Sequence, residues 1–270
     1  MEPRQPYDWF KTVKRLIVLS MLALFVVLLF APLGAQLIHT FKKTTRHENL
    51  SQLGQALIRA NQEKAKLTQA ICKPDGTPLL SWRVAILPYL NDPTALALYK
   101  QFKLNEPWDS PSNLVLLKRM PAVFACPGRD VPEYHTCFQV FVTAPSYTKG
   151  KFRPLWNIHS AMNYEGDFAT IPDGAKDTIL AAEVSTPVPW TKPEDIAIDE
   201  TIEDDSSGFG FKVDMHQFLP GAVYFEAYMA NGSLRTMTTS AYVDKNKFMK
   251  KLIRPFIGCR DGEKADETVQ

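Results

Sequence analysis

The sequence has no Gly-x-Ser-x-Gly elbow, no phosphate-cradling glycine loop and no Cys-x-x-Cys pair. Their absence removes the familiar motif routes to nucleophilic hydrolysis, nucleotide chemistry and dithiol redox work. An excess of one charge is also missing. The net charge is +2, and beyond residue 40 the Lys/Arg and Asp/Glu totals are 27 each. A nucleic-acid binder normally shows a basic excess or stripe, so nucleic acid is not an expected partner. The five histidines, His39, His47, His135, His159 and His216, are scattered and carry no motif context. No residue is nominated as catalytic, and a non-enzymatic role is the expectation.

One long hydrophobic run is present. Leu16 to Ile38 contains 23 residues without a charge, and roughly 20 suffice to span a bilayer core. A cleaved signal peptide has an apolar region of about 7–15 residues and ends in a small-x-small site. "APLGAQ" places Leu33 and Ala35 at the recognition positions, so a retained anchor is the better reading. Arg4, Lys11, Lys14 and Arg15 precede the span and Lys42, Lys43 and Arg46 follow it, too even a balance to set orientation by charge alone.

After the span, Leu50, Leu53 and Leu57 recur at helical spacing among polar residues. The expected organisation is a cytoplasmic N-terminus (1–15), a transmembrane helix (16–40) and a stalk helix (41–72). An extracytoplasmic α+β domain (73–259) and a flexible tail (260–270) follow. Pro32 and Gly34 are expected to kink the helix. Four strands are expected: "CFQVFVTAP", "TILAAEV" and the two paired arms of "AVYFEAYMANGSLRTM", where Asn231-Gly232 supplies the positive φ angles of a hairpin turn. "SWRVAILPYL" and "TALALYKQF" read equally as short helices or strands, and "YVDKNKFMKKLI" as a closing amphipathic helix.

The ordered segments "SWRVAILPYL", "LNEPWDSPSN", "RMPAVFACP", "IPDGAKDTILAAEV", "VPWTKPED" and "ANGSLR" resemble the bacterial pseudopilin-like proteins of unknown function that carry a C-terminal H-x9-DG motif. The resemblance spans about Glu48 to Met237. It implies a membrane-embedded prepilin-type helix and a stalk packed on an antiparallel sheet, a pilin-like α+β fold. It also implies partners among envelope or secretion-system proteins besides the lipid bilayer. Two features depart from the family. "WFKTVKRLIVLS" lacks the prepilin cleavage Gly and the following Glu, and His216 stands fifteen positions before Asn231 where the family has ten positions and an Asp.

Four cysteines remain beyond the span: Cys72, Cys126, Cys137 and Cys259. Cys126 and Cys137 bracket a short Pro/Gly loop and form the favoured disulfide, with free thiols or a zinc site including His135 as alternatives. In "LNEPWDSPSN", Ser110 and Pro111 suit a helix start, with Asp109 in an Asx-type turn and Trp108 folding inward. The functional alternative makes Trp108, Asp109 and Trp190 a glycan platform. A glycan hydrolase would draw two carboxylates from Asp109, Glu165, Asp167, Glu183 and Glu226. The acidic stretch Glu194, Asp195, Asp199, Glu200, Glu203, Asp204 and Asp205 is expected to be a solvated loop. It is also the best place for a structural Ca²⁺; no other cofactor is expected.

Overall fold

One helix of 54 residues, α1 (Trp9–Gln62), about fifteen turns long, is the first described element. A computed structural model describes residues 9–63, 70–143, 146–148, 151–153, 167–171, 174–198 and 223–239. The chain divides into two units, residues 1–45 and 46–270. In the first, α1 is helical through Pro32 and Gly34. Its large apolar side chains stand open, for instance Leu19 at 60%, Phe25 at 63% and Leu28 at 66%. The helix is long and apolar enough to cross a membrane.

The second unit is an α+β fold, and its spine is the last part of α1. Leu50, Leu53, Ala56, Leu57 and Ala60 are fully buried there, as their i, i+3, i+4 spacing requires. Burying each leucine contributes about 1.5–3 kcal/mol. The expected stalk ends early. β1 (Ala70–Cys72) occupies the end of the region assigned to the stalk, paired with β2 (Pro78–Ser81). The intervening Lys73–Thr77 turn explains the difference: Gly76 adopts φ +86° and Asp75 Oδ1 accepts from Thr77 N–H at 2.9 Å. Asp-Gly chemistry closes a hairpin where the helix had been extrapolated.

Three short helices follow, each started by a side-chain cap. Ser81 caps α2 (Trp82–Ala85), Asp92 caps α3 (Pro93–Tyr99) and Ser110 caps α4 (Pro111–Leu117). The two ambiguous apolar pieces are therefore helical, because Ser81 and Asp92-Pro93 are start signals. β3 (His135–Gln139), β4 (Phe141–Thr143), β5 (Ser146–Thr148), β6 (Lys151–Arg153), β7 (Ile179–Pro189), β8 (Ile196–Ile198), β9 (Val223–Met229) and β10 (Leu234–Thr239) complete the described strands. The main sheet runs β10-β9-β7-β3, antiparallel throughout. β4 pairs in parallel with β8, and β5 with β6 in an antiparallel hairpin.

The expected β9–β10 hairpin is present, with one correction at its turn. Only Gly232 takes a positive φ, +87°. Asn231 instead accepts from Ser233 N–H at 3.0 Å and from Ser233 Oγ at 2.7 Å, an Asx arrangement that needs one left-handed residue rather than two. The closing helix and the tail expected beyond residue 240 lie outside the described residues.

Helix and sheet meet closely at Gly54. A Cβ there would lie 2.0 Å from Cδ1 of Tyr228 on β9. Gly54→Ala is therefore expected to destabilise the protein by about 2–3 kcal/mol through overpacking. Urea unfolding of the full chain in detergent micelles measures this; an unchanged midpoint would contradict it.

Candidate functional site

Two buried charge clusters organise the second unit. The first starts at Arg46, which lies four residues before Leu50 and so shares its helix face. Arg46 Nε donates to Glu183 Oε1 on β7 at 2.8 Å, and its Nη1 donates to the Pro127 carbonyl at 2.6 Å. Arg129 Nε donates to the same Glu183 oxygen at 2.6 Å, and its Nη2 forms an ion pair there as well. Both Arg46 and Glu183 are about 4% exposed at the side chain. Asn49 adds a donor one turn on, reaching the carbonyls of Ala122 and Ala125 at 3.3 and 2.9 Å.

Glu226 on β9 belongs to the same region. The β7–β9 register pairs Ala182 with Ala227, which puts Glu183 and Glu226 at the next cross-strand position. Glu226 is buried, and its Oε2 lies 3.4 Å from Nδ1 of half-exposed His47. Two members of the carboxylate pool are thus neighbours. Glu183 is held by Arg46 of α1, and Glu226 faces His47 of the same helix. Asp109 is exposed, Asp167 caps the turn Phe168–Thr170, and Glu165 lies outside the described residues.

The second cluster centres on Arg83 and Asp195. Arg83 is fully buried and donates to the Phe138 carbonyl from Nε and Nη2 at 3.0 and 2.8 Å. Its Nη1 reaches Ser81 Oγ at 2.8 Å. Asp195 Oδ1 accepts from Arg83 Nη2 at 2.7 Å, Trp82 Nε1 at 3.0 Å and Val140 N–H at 3.1 Å. Burial pushes the Asp195 carboxyl up to about 6, against the opposing pull of Arg83 and of the Trp82 and Val140 donors. Burial also lowers the Arg83 guanidinium.

Asp195 was expected in a solvated acidic loop with a possible cation. It is instead turned inward and held by Arg83, so its carboxylate is engaged. Glu194 pairs with Lys192, and Asp199, Glu200, Glu203, Asp204 and Asp205 lie outside the described residues. Among the described residues no group of three His, Cys, Asp or Glu side chains is disposed to hold a metal ion.

Cys126 and Cys137 form a disulfide, which places both sulfurs beyond the reach of a zinc site. His135 Nδ1 lies 2.8 Å from the Glu133 carbonyl. Cys72 is a free, exposed thiol; Cys259, His159 and His216 are outside the described residues.

The proposed aromatic platform does not assemble. Trp190 is fully buried, stacked on Phe124 at 5.4 Å and edge-on to Phe102 at 5.8 Å, with its Nε1 donating to the Leu117 carbonyl at 2.8 Å. A tryptophan with its ring packed and its N–H satisfied is core. Trp108 is half-buried, with Lys192 Nζ 6.0 Å from its ring, and Asp109 is exposed. Ser110 and Pro111 do start α4, as the segment implied.

Asn113 is the residue that the reading of this segment missed. Fully buried, it accepts from Lys103 N–H at 2.9 Å and donates from Nδ2 to the carbonyls of Lys103, Glu106 and Pro107 at 3.0–3.1 Å. It ties the whole corner together. A polar residue on an otherwise apolar face was the available signal, for Asn113 as for Arg46 and for Arg83 within "SWRVAILPYL".

Residues 45–242 match the family model described as protein of unknown function DUF1559, and the chain belongs to that family. No curated protein and no solved structure matches the chain.

Removing the charge of Glu183 leaves the buried Arg46 without the carboxylate it pairs with and takes one partner from Arg129. Glu183→Gln is expected to cost about 3–5 kcal/mol. Thermal unfolding of the full chain against wild type checks this, and a loss below about 0.5 kcal/mol, the size of an ordinary surface change, would contradict it.

Proposed function

We propose that this DUF1559 member is a single-pass membrane protein whose second unit stands outside the cytoplasm as a structural or binding component of a bacterial envelope. One observation carries the reading: the uncharged stretch Leu16–Ile38 exposes its apolar side chains within the same helix, α1, whose later residues form the spine of a folded α+β unit. Water is a poor solvent for such a surface and a hydrocarbon core a good one. The Cys126–Cys137 disulfide supports an oxidising compartment for the second unit. An oxidising compartment for the second unit favours the outside orientation, which the flanking charges leave open.

The resemblance to pseudopilin-like proteins supports an association with envelope or secretion-system partners. The missing prepilin Gly and Glu favour a retained anchor over processing and assembly. Glu183 and Glu226, the two neighbouring carboxylates of the pool, are engaged by Arg46 and Arg129 and by His47 respectively, which favours a scaffold or binding role over glycan hydrolysis. Burial of Trp190 removes one side of the glycan platform.

Protease treatment of intact spheroplasts tests the topology. Digestion of the region after Lys43 without lysis is expected. Protection until lysis would place the second unit inside the cytoplasm and sink the reading.

A further inference from the structure

A groove of about 380 Å³ runs between α1 and the turns that precede α3 and follow α4. Gln52, Gln55 and Arg59 form its helical wall at i, i+3 and i+7 spacing. Leu90, Asn91 and Asp92 line the end near Arg59, which bonds the Tyr89 carbonyl, and Pro121, Ala122 and Val123 line the end towards Asn49, which bonds the Ala122 carbonyl. Its volume lies within the range of small-ligand sites.

The chemistry of the lining is uneven. Asp92 is engaged, accepting from Thr94 N–H and Oγ1 at 2.8 Å as the cap of α3. Arg59 Nε is fixed on the Tyr89 carbonyl at 2.9 Å, which leaves the terminal N–H groups of its guanidinium for the groove it lines. Gln55 Nε2 makes one long bond to Ser51 Oγ at 3.3 Å. Gln52 and Asn91 have no side-chain hydrogen bond to other described residues. Each amide offers a donor and an acceptor together, the same pair that a peptide group presents.

We propose that this groove binds a short extended peptide segment. Gln52 and Gln55 hydrogen-bond its backbone amides, Pro121–Val123 receive an apolar side chain, and Arg59 with Asn91 takes a polar group at the far end. Two features favour a peptide over a saccharide: no aromatic ring lines the groove to stack on a sugar, and the apolar strip is placed at one end. Arg59 and Asp92 offset one another, so charge steering is weak. The inference rests on the binding role proposed above and names its ligand class.

The test pans a random heptapeptide display library on the full chain in lipid nanodiscs, against empty nanodiscs as control. Enriched peptides are synthesised and their affinity is measured by fluorescence anisotropy. Peptides carrying an apolar residue are expected, with affinity changing less than about twofold between about 50 and 200 mM salt. The Gln52→Ala/Gln55→Ala variant should bind about tenfold more weakly, from the loss of two hydrogen bonds. Its melting temperature should be unchanged, since both side chains are exposed. Failure to enrich any sequence, undiminished binding by the variant, or displacement of the peptide by chitohexaose would each overturn the proposal. None of these results alters the spheroplast digestion pattern, so the two readings fail separately.

Discussion

The absence of a side chain at Gly54 is the constraint on which the second unit depends. It lets α1 approach β9 until the Tyr228 ring occupies the space a Cβ would take. Contact at that distance brings Leu50, Leu53 and Leu57 into one buried cluster with Phe138, Leu180 and Tyr228. It also brings Arg46 within reach of Glu183 on β7 and His47 within reach of Glu226 on β9. A bulkier residue at position 54 would lift the helix and separate both charge pairs. Close packing and buried electrostatics are therefore one design, set by the smallest residue in the helix.

The charges buried by this approach do structural work that their sequence context hides. Removing Arg46 and Glu183 from water is costly, and the cost is offset because several donors converge on one carboxylate. The same solution recurs at Arg83 and Asp195, where Trp82 and Val140 complete the set of donors. Arg83 also holds the Phe138 carbonyl, so the loop carrying Asp195 is tied to β2, α2 and β3 together. The Cys126–Cys137 bond closes the short loop next to Pro127, the carbonyl partner of Arg46.

Local physical signals made much of the fold readable. Leucine spacing identified the buried face of α1, and Ser110-Pro111 marked the start of α4. Apolar, aromatic-rich arms around Asn231-Gly232 placed the β9–β10 hairpin. The cysteine pair followed from its bracketed loop. Long-range partners were not readable in the same way. Asp195 looks solvated because its neighbours in sequence are acidic, whereas its neighbours in space are Arg83, Trp82 and Val140. Trp190 looks like part of a platform because a flat aromatic beside a carboxylate suits a glycan, but Phe124 and Phe102 close over it. The end of the stalk was overrun because helical periodicity says little about a hairpin set by Asp75 and Gly76.

Amide hydrogen exchange of the full chain in detergent micelles tests the central claim, that residues 46–62 of α1 and the sheet form one cooperative unit. The account predicts that the amides of residues 50–60 exchange with the same opening free energy as those of β7 and β9, both set by global unfolding. Residues 50–60 exchanging through much easier openings while β7 and β9 stay protected would contradict it, because the sheet would then hold together without the helix.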